Sequence, residues 1–102
     1  MKLLCLAAMA GLAAAALSTP AARAADPEFC RDYARAAVEQ SERAMNTRGC
    51  GHLLHDGRFS TDFRTHFQWC LEAHRHEADE QRSIRHEELE RCAFRDRPGW
   101  DR

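Results

Sequence analysis

Four cysteines at nearly even spacing, all downstream of an apolar leader, set the terms on which this chain folds. Cys30, Cys50, Cys70 and Cys92 lie 20, 20 and 22 residues apart. Residues 1–24 have the organisation of a secretory signal. Lys2 supplies a positive start, Leu3 to Leu17 form 15 residues without a charge, and Ser18, Thr19 and Pro20 break the run. Ala22-Arg23-Ala24 is a small-x-small cleavage site, which predicts a mature chain beginning at Ala25. A membrane anchor is the weaker reading, because a span needs about 18–20 apolar residues and this stretch is short and rich in Ala. Cys5 leaves with the signal, so five cysteines become four.

Export predicts an oxidising compartment, periplasmic or extracellular, where four cysteines form two bridges. In a reducing cytosol the same residues would first suggest a metal site. Cleavage removes Lys2 and Arg23, which leaves 13 basic residues against 16 acids and a net charge near −3 with histidine neutral. No lysine remains. Such a balance offers no basic field, so nucleic acid and the membrane surface are excluded as main partners.

The 78 residues after the signal predict one domain, 25–97, followed by a frayed tail at 98–102. A chain this short builds a core worth only about 3–5 kcal/mol by itself. A bridge that closes a loop of some 40 residues adds roughly 4 kcal/mol in the chain-entropy model. The cross-links are therefore expected to be required for folding.

Strand signals are nearly absent: Val and Ile occur once each after the signal. Helix punctuation is clear. Asp26-Pro27-Glu28 reads as an N-cap, a proline at the first helical position and an acid in the first turn. The stripe behind it is Cys30, Tyr33/Ala34, Ala37/Val38, Ser41 and Ala44/Met45, and Gly49 is placed to stop the helix. A loop runs from Gly49 to Phe59. Ser60 is expected to cap a second helix, with Asp62 in its first turn and Phe63, His66/Phe67, Cys70/Leu71 buried. A third helix is expected to begin near Glu77 to Glu80 and to bury Gln81, Arg85, Leu89 and Cys92, with Pro98-Gly99 ending it. The expected fold is all-α, a small three-helix up-down-up bundle stapled by two disulfides.

Cysteine count alone permits three pairings. Cys30 and Cys50 flank the first helix, some 30 Å apart at 1.5 Å per residue. An up-down-up path brings Cys30 to Cys70 and Cys50 to Cys92, the favoured pairing. The alternative, Cys30–Cys92 with Cys50–Cys70, requires the second and third helices to fuse or the loop to fold back.

The residues Cys30-x2-Tyr33-Ala34-x2-Ala37-Val38-x-Gln40, Cys50-Gly51, His66-x2-Trp69-Cys70 and Arg85-x3-Leu89-x2-Cys92 form a pattern. It resembles that of a small exported bacterial four-cysteine helical domain of uncharacterised function. Two segments depart from it: the usual Gly-x-Arg-Trp stands as Gly57-Arg58-Phe59 after a longer loop, and Gln81 replaces an acid four residues before Arg85. The resemblance implies a stapled helical domain and no activity.

Several residues invite chemistry. Six histidines suggest metal, with His52, His55, His74 and His76 the first suspects. A bundle, however, puts the first two and the last two at opposite ends, so no metal or other cofactor is expected. His66 reads as a half-buried helix residue. Arg85 on a buried stripe is either a carboxylate-binding arginine or, the stronger account, the partner of Asp32, Glu39 or Asp62. Trp69 lies just off its stripe. Core filling is the favoured role, and an exposed Trp69 beside Phe59 would instead suit a protein contact. No activated nucleophile, Cys-x-x-Cys pair or phosphate-cradling glycine loop is present, so an enzyme is not expected. The reading that remains is a non-catalytic interaction module for another exported protein, an inhibitor or immunity protein being one form. The alternative is a histidine-based metal or pH sensor.

Overall fold

Asp26 opens the first helix by accepting the Phe29 backbone N–H on its carboxylate at 2.8 Å, with Pro27 in the first helical position, where its missing N–H costs nothing. In this computed structural model residues 26–96 are described. The expected signal segment 1–24, its expected cleavage junction at Ala24-Ala25, Pro98-Gly99 and the expected tail at 98–102 lie outside the described residues. Helix α1 spans Pro27–Asn46, α2 spans Phe63–Glu72 and α3 spans Arg75–Arg95, with 3-10 turns at Gly51–His55 and Gly57–Phe59 between α1 and α2.

The path is up-down-up. α2 runs antiparallel to α1, because Cys30 at the start of α1 bonds Cys70 near the end of α2, while Ser41 meets the carbonyl of Ser60 just before α2. α3 runs parallel to α1: Gln40 faces Arg85, Arg43 faces Glu90, and Cys50 bonds Cys92. The two bridges are the favoured pairing. Their Cα atoms are 5.5 and 5.2 Å apart, and they close loops of 40 and 42 residues, ordinary spans for a disulfide.

Two helix starts differ from expectation. Asp62, not Ser60, caps α2: its carboxylate accepts the Arg64 N–H at 3.2 Å and the Thr65 hydroxyl at 2.9 Å. Ser60 stays extended, because its hydroxyl accepts the Asp62 N–H and its carbonyl is held by Ser41 and His66. α3 begins at Arg75, earlier than Glu77. The Glu77 carboxylate reaches back to the His74 N–H at 2.8 Å, so Ala73 and His74 alone join the two helices.

Gly49 has φ of +88°, and a Cβ there would lie 2.8 Å from Asp96 Cβ and 3.1 Å from the Cys92 carbonyl. Glycine thus meets both the left-handed backbone and the close approach of the α3 terminus. α1 packs closely because its inner face is Ala34, Ala37, Ser41 and Ala44, all buried.

The interior divides into two small clusters. One holds Ala44, Cys50, Leu53, Phe59, Leu89 and Cys92. The other holds Cys30, Tyr33, Cys70 and Ala78, flanked by the partly buried Phe29, Phe67 and Leu71. Between them, along both α1 and α3, lies a polar layer of Gln40, Ser41, His66 and Arg85. Phe63, placed on the buried face by periodicity, is 41% exposed. It sits in the first turn of α2, one residue past the cap, and stacks on Phe67 at 5.8 Å.

Candidate functional site

The polar layer opens to the outside through a cavity of about 340 Å³ lined by Tyr33, Arg58, His66, Trp69, Gln81 and Arg85 among others. Each wall follows from a local feature of the chain. Tyr33 and Arg85 lie on the inner stripes of α1 and α3. His66 and Trp69 are one turn apart on α2. Arg58 is delivered by the second 3-10 turn, which Asp56 caps by accepting the Arg58 N–H at 2.9 Å.

Arg85 is 1% exposed. Its Nε donates to Gln40 Oε1 at 2.6 Å, its Nη1 donates to the Arg58 carbonyl at 3.4 Å, and its guanidinium carbon lies 5.1 Å from the Tyr33 ring centroid. Its Nη2 has no hydrogen-bond partner among the described residues, and no carboxylate of those residues pairs with it. The expected acidic partner is therefore corrected. Asp32 pairs outward with Arg35 at 2.9 Å, Asp62 is engaged in capping α2, and Glu39 is exposed on α1. Parallel α1 and α3 present Gln40 to Arg85 instead. Gln40 completes the junction by donating its own amide N–H to the Arg82 carbonyl at 3.1 Å. A buried guanidinium held only by neutral acceptors carries a desolvation cost that no counter-charge offsets.

Arg58 is the opposite case. Its Nε donates to Gln81 at 2.8 Å, and its Nη1 lies 3.2 Å from Glu88 and 3.7 Å from Asp56. The cavity thus holds two guanidinium groups, of which only one has its charge matched.

His66 is buried, with Nε2 2.6 Å from the Ser60 carbonyl. A carbonyl only accepts, so Nε2 carries the hydrogen and Nδ1 of the neutral ring is an acceptor. Burial pushes its pKa below the ordinary 6.5 and the Arg85 charge acts in the same direction, against the Ser60 hydrogen bond and the Asp62 carboxylate. His66 therefore sits beside Arg85 as a neutral ring at pH 7.

Trp69 is 42% exposed rather than filling the core. Its ring stands 5.6 Å from Tyr33 and forms the outer wall of the cavity. Phe59 departs from its reading as a contact residue. The second 3-10 turn drives it inward against Leu89 and Ala44, and it is 1% exposed. His52 and His55 lie in the first 3-10 turn, at the Cys50–Cys92 end, and His74 and His76 lie at the Cys30–Cys70 end with rings 5.7 Å apart. The described residues contain no group of three or more His, Cys, Asp or Glu side chains arranged to hold a metal ion.

Gln40, Arg58 and Gln81 carry no motif that marks them as site residues. The available signal was Gln81 one helical turn before a buried arginine, where an acid would have neutralised it. No protein-family model, no curated protein and no solved structure matches this chain. The fold and site define a small all-α domain with two disulfides, and no described helix is long and apolar enough to cross a membrane.

Proposed function

We propose that the protein is a non-catalytic interaction module of an exported compartment, which binds another exported protein through the face where Trp69 and the Arg85 cavity lie. An inhibitor or immunity protein is one form such a module takes. The observation that carries the reading is Trp69, a large aromatic side chain 42% exposed that lines the cavity with Arg85. Aromatic and arginine side chains together are the usual anchors of a protein interface. The scaffold supports this role, because two bridges hold α1 to the elements on either side and limit the ordering that binding demands.

Affinity capture from envelope extract tests the reading. A partner retained by the native protein is expected to be weakened about thirtyfold or more by Trp69→Ala, the loss typical of an interface anchor, with helicity unchanged. Capture of no partner, or of one indifferent to this change, counts against the module.

A further inference from the structure

We propose that the Arg85 cavity is a receptor for one carboxylate carried on an apolar or aromatic body, seated against the Arg85 guanidinium beside the Tyr33 and Trp69 rings. The inference rests on the reading of this face as a partner-binding surface, and it says what a partner must present there.

Three observations lead to it. First, Arg85 is a buried cation, and among the described residues its Nη2 has no hydrogen-bond partner and its charge no matching carboxylate. Second, the cavity it lines is about 340 Å³, room for a side-chain-sized or small ring-bearing ligand. A carboxylate accepts from guanidinium nitrogens in a fixed planar geometry, which suits an arginine already held by Gln40 and Arg58. Third, the charge balance selects a single negative charge. Arg58 is already matched by Glu88 and Asp56, so Arg85 has one charge to offer. A phosphate dianion would bring its second charge towards Asp56, which lines the same cavity. The Trp69 ring, exposed and backed by the buried Tyr33 ring at 5.6 Å, provides apolar surface for the body that carries the acid.

A carboxylate of this kind comes from an aspartate or glutamate side chain, from the end of a polypeptide or from a free small acid. Three probes separate these sources in titrations of the nitrogen-15-labelled, oxidised protein. Acetyl-glutamyl-methylamide offers a side-chain acid, acetyl-phenylalanine a chain end, and benzoate a free acid. The reporters are the Arg85 Nε–H and the Trp69 indole N–H. Saturable shifts at both are expected, with the best carboxylate binding at least about tenfold more tightly than the neutral benzamide, as for hydrogen bonds to a charged group. The tightest of the three probes names the source. Benzamide equal to benzoate, inorganic phosphate tighter than every carboxylate, or no saturable shift at Arg85 each overturns the proposal. Arg85→Gln is expected to weaken the best probe at least about tenfold, and Arg43→Gln, on the exposed pair with Glu90, to leave it unchanged. Should Arg85→Gln fail to fold, the benzoate and benzamide contrast on the native protein decides. Carboxylate binding together with capture indifferent to Trp69→Ala removes the interaction module and leaves the receptor. Trp69-dependent capture without carboxylate binding removes the receptor alone.

Discussion

The two ends of this bundle are built from the same parts and finished differently. At the Cys50–Cys92 end, the 3-10 turns fold over the gap between α1 and α3 and push Leu53 and Phe59 inward, so the cluster with Ala44 and Leu89 is closed. At the Cys30–Cys70 end the third wall is α2, only 10 residues long. Phe29, Phe67 and Leu71 are partly buried there, Trp69 stands 42% exposed, and Arg75 covers Phe29 at 4.3 Å; at the other end Met45 and Phe94 are exposed outside the closed cluster. The closed end seals its cluster beneath the turns, and the open end leaves Trp69 lining a cavity with an unmatched charge. In so small a domain, incomplete packing at one end is where a binding face has room to form.

On that contrast the two bridges are expected to matter about equally and the side chains at the two ends unequally. Replacing either cysteine pair by alanine is expected to cost roughly 4 kcal/mol, since loops of 40 and 42 residues have nearly the same closure entropy. Urea unfolding of the two variants measures this, and a difference of several kcal/mol would show that one end carries the fold. Phe59→Ala is then expected to cost about 3 kcal/mol or more, as for a buried aromatic. Trp69→Ala, half-exposed, is expected to cost clearly less, about 1–2 kcal/mol by the area it buries. Equal losses would mean that the open end is as fully packed as the closed one.

Much of this plan is legible in the sequence. Helical stripes and caps are local signals, so the helix number and the Asp26 cap follow from the sequence, and the antiparallel and parallel paths they imply give the bridge pairing. What escaped depends on contacts across the fold. Phe59 lies in a loop, where periodicity says nothing of burial. The start of α3 was placed late because His74 is not a usual capping residue and the reach of Glu77 to its N–H is a matter of geometry. Periodicity puts Arg85 on the inner stripe, but chain order cannot show that Gln40 rather than an acid faces it. The cavity combines all three gaps, being assembled from α1, a 3-10 turn, α2 and α3.

A smaller effect separates the ends at the backbone. Gly49→Ala places a Cβ 2.8 Å from Asp96 Cβ on a residue with φ of +88°, a conformation that costs an alanine about 1–2 kcal/mol. The loss belongs to the closed end, so melting temperature should fall while the shifts of the Trp69 indole N–H stay as in the native protein. Movement of that signal would show that the ends are coupled through α1.

The finest distinction lies in the layer between them and is read by pH. Because burial and the Arg85 charge hold the His66 pKa below 6.5, the unfolded chain binds a proton there more readily than the folded one. Stability then rises with pH across that interval. The His66 contribution is fully present above about pH 6.5 and is lost as pH falls from there through the lowered folded value. Melting temperature is expected to drop between pH 7.5 and 5, and His66→Gln, which retains a donor for the Ser60 carbonyl, should remove that part of the slope. The groups that face His66 are Asp62 from the start of α2, Arg85 from α3 and the Tyr33 ring edge from α1 at 6.4 Å. A bound carboxylate neutralises the only one of these that carries positive charge. Saturating benzoate is therefore expected to raise the His66 pKa, seen as an upward shift of its ring-proton titration, and to shrink the pH slope of the native protein but not of His66→Gln. A slope identical in both proteins, with and without benzoate, would place the pH response outside the polar layer.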